Sequence, residues 1–151
     1  MLPHRPDAFF SLKLNHAPLD QNAVHFFYEA DRKTTDTTRF RQKLRAHFHF
    51  IAKRRAHQEK YQVRRIRAVL VETLDAQKAM QLREAARHPL VSGNRPSPLF
   101  WFTTSELFTK EHETQEGNRT RKGPKFLLEP AVVFDPVWAS PVDDTLHSLV
   151  E

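Results

Sequence analysis

Residues 66–73 have the sequence IRAVLVET, which is β-branched and mostly apolar, a pattern typical of a strand buried on both faces. The segments on either side show helical spacing instead. Before it, apolar side chains recur three and four residues apart from Thr38 to about Tyr61. After it, a helix is expected from Asp75 to about Arg87. A buried strand between two helices indicates an α/β fold.

Three more strands are predicted further from this central strand. Residues 8–14 (AFFSLKL) and 23–33 (AVHFFYEADRK) flank a stretch rich in Asn, Pro and Asp, so we expect them to form a hairpin. Residues 99–104 (LFWFTT) form a strand after a loop that contains Pro, Gly and Ser. The predicted order is β-β-α-β-α-β, which implies a mixed sheet flanked by helices.

The domain organisation follows from length and local composition. A chain of 151 residues suits one domain, and we expect residues 1–108 to form its core. Residues 109–125 are polar and charged and contain two of the three glycines, so an exposed loop is expected there. Residues 126–151 should form a C-terminal extension that packs on the core, as an irregular segment or an edge strand.

Several classes of protein are disfavoured by composition. The chain has no Cys, so it can form neither disulfides nor a thiolate metal site. No apolar run approaches the roughly 20 residues of a spanning helix, and the N-terminus lacks the features of a secretory signal. We therefore expect a cytoplasmic protein with no membrane partner. The nine histidines match no zinc spacing and no Gly-rich phosphate loop is present, so neither zinc nor a nucleotide cofactor is expected.

Positive charge is concentrated in one segment of the chain. The net charge is +6, but residues 39–67 contain eleven Lys or Arg residues and a single acid, Glu59. The remaining residues together carry a net negative charge. Such segregation suits a polyanion such as nucleic acid, although a solvated helix face has a similar composition. The side chains expected to contact phosphates are Arg39, Arg41, Arg45, Lys53, Arg54 and Arg55.

Acidic side chains are predicted to meet at one end of the hairpin. Asp7 precedes the first strand, and Glu29, Asp31 and Lys33 end the second. Because side chains alternate along a strand, these last three project from one face, and strand pairing would bring Asp7 to the same end. Converging carboxylates suit Mg²⁺ or Mn²⁺, and a nearby lysine could orient water or stabilise charge on a phosphate oxygen. A solvated strand end with local ion pairs is the alternative.

Two levels of resemblance rest on these residues. Pro6-Asp7 followed by Asp31-Arg32-Lys33 resembles the PD-(D/E)XK motif of restriction-endonuclease-like nucleases. More narrowly, FFYEADRKTTDTTRFRQKLRAHFHF (26–50), IRAVLVET and LFWFTTSELF resemble the replication-relaxation family of plasmids and mobile elements, over roughly residues 5–108. The resemblance implies a restriction-endonuclease-like mixed sheet. The usual helix and strand before the PD element are expected to be missing.

The resemblance implies a metal-dependent nuclease site with two possible alignments. In the first, which is slightly favoured because it needs no relocation, Asp31 and Lys33 supply the acid and the lysine. In the second, Glu29 and Asp31 take those places and Lys43 in the helix supplies the basic group. The metal ligands implied are Asp7, Glu29 and Asp31, and the catalytic residues implied are these three with Lys33 and Lys43.

The function implied is that of a nucleic-acid-binding, nuclease-like domain for replication or relaxation of plasmid or mobile-element DNA. Mg²⁺ or Mn²⁺ would be the cofactor of an active enzyme, and DNA is the expected partner. The family usually carries an upstream winged-helix domain, which this chain would lack or receive from another polypeptide. Two alternatives stay open: a catalytically inactive DNA-binding regulatory or replication-accessory module, and a protein-interaction domain with a basic helix.

Overall fold

The computed structural model describes residues 3–32, 36–116, 119–128 and 130–151. Within 109–131 it describes the backbone alone. The strands are β1 (Ala8–Lys13), β2 (Ala23–Ala30), β3 (Ala68–Thr73), β4 (Phe100–Thr104), β5 (Thr109–Glu116), β6 (Arg119–Leu128), β7 (Trp138–Ala139) and β8 (Leu146–His147). The α-helices are α1 (Thr37–Phe48), α2 (Ala56–Lys60), α3 (Ala76–Ala86) and α4 (Pro89–Ser92). A π-helical turn (His49–Lys53) follows α1, and short 3-10 helices span Ser105–Phe108 and Pro130–Phe134. Across the described residues, no helix has the length and apolarity required to traverse a bilayer.

Six strands form one mixed sheet in the order β1-β2-β3-β4-β7-β8, and β5 and β6 form a separate pair. Strands β2, β3 and β4 are parallel to one another, whereas β1 is antiparallel to β2 and β7 is antiparallel to β4. Helix α1 lies in the connection between β2 and β3, which is how a parallel pair is usually joined. The expected mixed α/β sheet with flanking helices is therefore confirmed.

Side chains of the central strands alternate between two apolar layers. On one face, Phe27 and Val69 pack in a buried cluster with residues of α1, α3 and α4. On the other face, Phe26 and Leu70 pack with Trp138 from the C-terminal segment. The central strands are thus buried on both faces, as their continuous apolar sequences predict.

Helix α1 begins at a capping residue but ends earlier than expected. The Asp36 carboxylate accepts a hydrogen bond at 2.8 Å from the backbone N–H of Arg39, which satisfies a free donor of the first turn. The prediction of one helix reaching about Tyr61 is wrong, because the chain leaves the helix at Arg55, where φ is 51°. A left-handed residue cannot continue a right-handed helix. No Gly or Pro marks this break in the sequence.

The expected loop over residues 109–125 is instead occupied largely by strands. Strands β5 and β6 pair antiparallel, with Glu113 opposite Lys122 and Glu116 opposite Arg119 in the register. High polarity predicted a loop here because that pairing is not visible in local composition.

The C-terminal extension, residues 126–151, adds strands to the main sheet. Ala139 of β7 pairs with Phe102 of β4, and β8 pairs with β7. The indole N–H of Trp138 donates to the carbonyl of Val133 at 3.1 Å, so the buried ring also satisfies its polar group. This segment therefore closes the sheet face opposite α1.

Leu44→Ala should destabilise the protein by about 2–5 kcal/mol, because Leu44 is fully buried and truncation leaves a cavity beneath α1. Leu19→Ala, the same substitution at a side chain that is 89% exposed, should stay within about 0.5 kcal/mol of wild type. Urea unfolding followed by circular dichroism measures both. Equal effects of the two substitutions would contradict the described packing of α1.

Candidate functional site

The acids predicted from the sequence lie where the parallel strands end. The backbone N–H of Asp31 donates to the carbonyl of Glu72 at 2.8 Å, which extends the β2–β3 pairing by one residue. The Thr73 hydroxyl donates to Asp31 Oδ2 at 2.9 Å, and both side chains are buried. Asp31 is therefore fixed at the carboxyl end of β2 by the strand beside it.

Asp7 is held at the same end of the sheet. The register pairs Ala8 of β1 with Tyr28 of β2, so the residue before β1 lies beside the last residues of β2. The backbone N–H of Asp7 donates to the Tyr28 carbonyl at 3.1 Å, and the Ala30 N–H donates to Asp7 Oδ2 at 2.8 Å. The structure thus brings Asp7 against the backbone between Glu29 and Asp31.

Glu29 is the most buried of these acids, with only 3% of its surface exposed. Its Oε1 lies 2.8 Å from His47 Nε2, and its Oε2 lies 3.5 Å from Lys43 Nζ. Lys43 and His47 both belong to α1 and are four residues apart, so they lie on one face of the helix. The charge of Glu29 is therefore compensated from α1.

A second histidine extends this contact. His4 Nε2 lies 2.9 Å from His47 Nδ1, and the His4 ring stacks on Phe50 with centroids 3.8 Å apart. With both imidazoles neutral, His4 Nε2–H donates to His47 and His47 Nε2–H donates to Glu29. Burial lowers the pKa of His4 to about 3, with smaller effects from His47 and Lys60. His4 is thus neutral near pH 7 and suited to this chain of hydrogen bonds.

A separate polar contact lies on the opposite face of the sheet. The Tyr28 hydroxyl donates to Glu72 Oε2 at 2.6 Å. Burial, and then this hydrogen bond, raise the pKa of Tyr28 above its ordinary value. Tyr28 therefore remains a neutral donor, and Glu72 has a partner on the face that does not carry Glu29.

The three carboxylates have oxygen donors of the kind that Mg²⁺ and Mn²⁺ prefer, but their arrangement does not fit an ion. Each acid contacts a protein donor: Ala30 N–H for Asp7, His47 for Glu29 and Thr73 for Asp31. Within the described parts of the chain, no three His, Asp or Glu side chains are grouped so that they could hold a metal ion. The metal site stays a prediction that requires these side chains to rearrange.

The structure describes the basic residue of only one of the two motif alignments. Lys33 lies outside the described residues, so the first alignment has no geometry to compare with. Lys43 approaches Glu29, which is the contact that the second alignment requires. Its side chain is 34% exposed, so the ammonium group lies between the buried acid and solvent.

The six cations predicted to contact phosphates are spread along α1 and beyond its end. Arg39 is exposed and lies near Glu29, and Arg41 is half-buried. Arg45 and Lys53 line a depression of about 270 Å³ beside α4. Arg54 and Arg55 are exposed at the helix break. At about 1.5 Å per residue, Arg39 and Lys53 are about 20 Å apart along the helix. The predicted cations therefore do not form one compact surface.

The site prediction did not include a second group of cations. Arg64 and Arg65 are exposed and line two depressions, of about 470 and 600 Å³, and the larger is also lined by Arg67. These arginines belong to the basic segment in the sequence. Sequence reasoning does not assign them to the site because they precede a strand rather than lying on the predicted helix.

His4 and His47 were also missed as site residues. The signal for His47 is its position three residues after Leu44 and seven after Phe40, on the apolar stripe of the helix. A polar side chain on that stripe must find a buried partner, and Glu29 is the acid on the facing strand. No sequence signal connects His4 to this pair.

Stability should fall as pH decreases from about 6.5 to about 3, and His4→Gln should reduce this fall. The pKa of His4 in the folded protein lies below its ordinary value of 6.5. As the pH falls, the unfolded chain therefore takes up the proton at a higher pH than the folded protein does. The contribution of neutral His4 to the free energy of unfolding is fully present above about pH 6.5 and is lost as the pH falls towards 3. The contribution should stay below about 1.4 kcal/mol per pH unit, because His4 is partly open to solvent.

Urea unfolding at pH 7 and pH 5 measures the difference between wild type and His4→Gln. His16→Gln, at an exposed position, is the matched control and should keep the wild-type pH dependence. If His4→Gln and wild type lost equal stability between the two pH values, the folded structure would not hold His4 as a neutral imidazole.

Comparison with known proteins assigns no family to this chain. No family model, no curated protein and no solved structure matches it. Its function is therefore inferred from the geometry of its own residues.

Proposed function

We propose that this chain is a nucleic-acid-binding domain with a nuclease-like core, which acts on plasmid or mobile-element DNA during replication or relaxation. The observation that carries the proposal is the basic surface formed by Arg55, Arg64, Arg65 and Arg67, hereafter the arginine surface. Cations from two separate chain segments border the same depressions. A surface of this kind attracts the phosphates of a nucleic acid and releases their counterions.

The local environment supports binding of a polyanion. Arg64 and Arg65 each line both depressions, so a bound strand could contact them from either side. The described acid that lines these depressions is Asp20, in the turn between β1 and β2. The arginine surface therefore keeps an excess of positive charge that is open to solvent.

The nuclease-like part of the proposal rests on the order of the elements. Asp7 precedes β1, the antiparallel β2 ends with Glu29 and Asp31, and α1 then leads to the parallel strand β3. This order agrees with the restriction-endonuclease-like core that the motif implies.

Binding is tested by fluorescence anisotropy with a labelled DNA duplex over a range of salt concentrations. Arg64→Gln and Arg65→Gln should each weaken binding and lower the log–log salt slope by about 0.9 for each phosphate that the variant no longer neutralises. Arg95→Gln, at an exposed arginine outside the basic segment, is the matched control and should leave both unchanged.

Two results would count against nucleic-acid binding. One is an affinity no better than that of an unrelated protein of equal charge, which would favour a protein-interaction domain with an acidic partner. The other is equal loss of affinity in Arg95→Gln and in the two variants of the arginine surface. That result would indicate a general effect of net charge.

Metal-dependent phosphodiester hydrolysis is the second candidate function. It is favoured by one observation: Lys43 lies beside Glu29 at the sheet end that also holds Asp7 and Asp31. A lysine beside a carboxylate suits stabilisation of charge on a phosphate oxygen, and metal binding there requires the three acids to rearrange. Mg²⁺ or Mn²⁺ is the proposed cofactor of that activity.

Nicking of supercoiled plasmid with Mg²⁺ or Mn²⁺ tests the second candidate. Wild type should nick, and Asp31→Asn should reduce the rate by at least about a hundredfold, as removal of a catalytic group does. Asp135→Asn, at an exposed acid in the C-terminal segment, is the matched control and should nick at the wild-type rate. If wild type binds DNA but does not nick it, the chain is a catalytically inactive DNA-binding module. If wild type and Asp31→Asn nick at the same rate, Asp31 is not a catalytic residue and the proposed site is wrong.

A further inference from the structure

A small cavity of about 190 Å³ lies beside Glu29, between the segment before β1 and helix α1. The polar side chains that line it are His4, Arg5, Glu29, Arg39, Lys43 and His47. The arginine surface does not include this cavity, and the resemblance implies a metal ion at Glu29 but no anion between Arg5 and Arg39. Hereafter it is called the Glu29 cavity.

Three cations border the Glu29 cavity. Arg39 and Lys43 are four residues apart on α1, so their side chains extend from one face of the helix. Arg5 reaches the cavity from the segment before β1. Among the described residues, the Arg5 and Arg39 guanidinium groups have no ion pair or hydrogen bond to a side chain or carbonyl. They remain available to a ligand.

The buried acid shapes the cavity rather than neutralising it. His47 holds Glu29 Oε1 at 2.8 Å, whereas Oε2 has no hydrogen bond within the described part of the chain and lies 3.5 Å from Lys43 Nζ. A buried carboxylate oxygen without a hydrogen bond is costly unless a donor reaches it. With one carboxylate against three cations, the cavity keeps a formal charge of about +2, counting His4 and His47 as neutral.

We propose that the Glu29 cavity binds the terminal phosphate monoester of a nucleic-acid strand. A monoester carries a charge of about −1.5 to −2 at pH 7, which matches the excess of the cavity, whereas an internal phosphodiester carries a single charge. Arg5 and Arg39 offer the forked donors that suit phosphate oxygens. Glu29 Oε2 accepts a hydrogen bond from a sugar hydroxyl or from the protonated phosphate.

The assignment deepens the proposed function and rests on it for the identity of the rest of the ligand. The cavity has room for one phosphate group and part of a sugar, rather than for a length of backbone. The remainder of the strand would lie outside it, towards the cations of α1. Free phosphate shares the same chemistry, so the experiment has to separate the two sources.

The test compares three labelled oligonucleotides of one sequence, with a 5′-phosphate, a 3′-phosphate or two hydroxyl ends, by fluorescence anisotropy at fixed salt. Wild type should bind one of the phosphorylated forms about tenfold more tightly than the unphosphorylated form. Arg39→Gln and Arg5→Gln should bring this ratio close to one. Arg64→Gln should weaken binding of all three oligonucleotides and leave the ratio of their affinities as in wild type. Arg95→Gln should change neither the affinities nor their ratio.

Lys43→Gln is a third variant, and it should be less stable because it leaves Glu29 without its ammonium partner. Arg5→Gln and Arg39→Gln keep the test valid in that case, since neither arginine contacts the buried acid in the structure. Circular dichroism confirms that each variant is folded. A ratio near one in wild type, or a wild-type ratio that survives in both arginine variants, would overturn the assignment.

Competition with inorganic phosphate distinguishes a strand end from free phosphate as the ligand of the cavity. It also distinguishes failure of this assignment from failure of the proposed function. If it displaces the phosphorylated oligonucleotide only at millimolar concentrations, the strand end is the ligand. If it binds wild type but not Arg39→Gln, and no oligonucleotide end is preferred, the cavity takes free phosphate and the strand-end assignment fails. Binding of unphosphorylated DNA with no end preference would leave the proposed function intact, whereas absence of binding to every oligonucleotide would overturn both.

Discussion

The carboxylate of Glu29, almost fully buried at the end of β2, constrains how α1 packs on the sheet. A buried charge is tolerated only with close partners, and both partners here come from one helix face, through Lys43 and His47. Because these residues share a face with the buried Phe40 and Leu44, the apolar stripe and the ionic contact specify the same rotation of the helix. A different rotation would leave either the acid or the apolar stripe without its partner.

The parallel pairing of β2 and β3 sets the direction in which α1 runs across the sheet. Helix α1 must return from the carboxyl end of β2 towards the start of β3, so it carries its cations along the sheet. Arg39 and Lys43 of α1 border Glu29, and the π-helical turn that follows α1 lines a depression of the arginine surface. Positive charge therefore lies at both ends of this connection.

The sequence predicted the elements whose signal is local. Continuous apolar runs identified the central strands, and the spacing of Phe40 and Leu44 identified the first part of α1. The break at Arg55 escaped prediction because the left-handed residue is an arginine and not the Gly or Asn that usually marks a helix end. Strands β5 and β6 escaped because their pairing links residues that are polar in isolation. His4 escaped because its partner, His47, is 43 residues away.

The ionic contact also bears on why the chain keeps charge in its interior. A buried ion pair is often no more stabilising than apolar side chains of similar size, so stability alone does not account for Glu29 with Lys43 and His47. A binding role accounts for the arrangement better, because the acid holds Lys43 at the mouth of a cationic cavity. Arg39, which lines the cavity, and Lys53, in the π-helical turn after α1, are about 20 Å apart along the helix, which corresponds to about six base pairs at 3.4 Å each. A nucleic acid of at least that length could contact both residues, and a shorter one could contact only one of them.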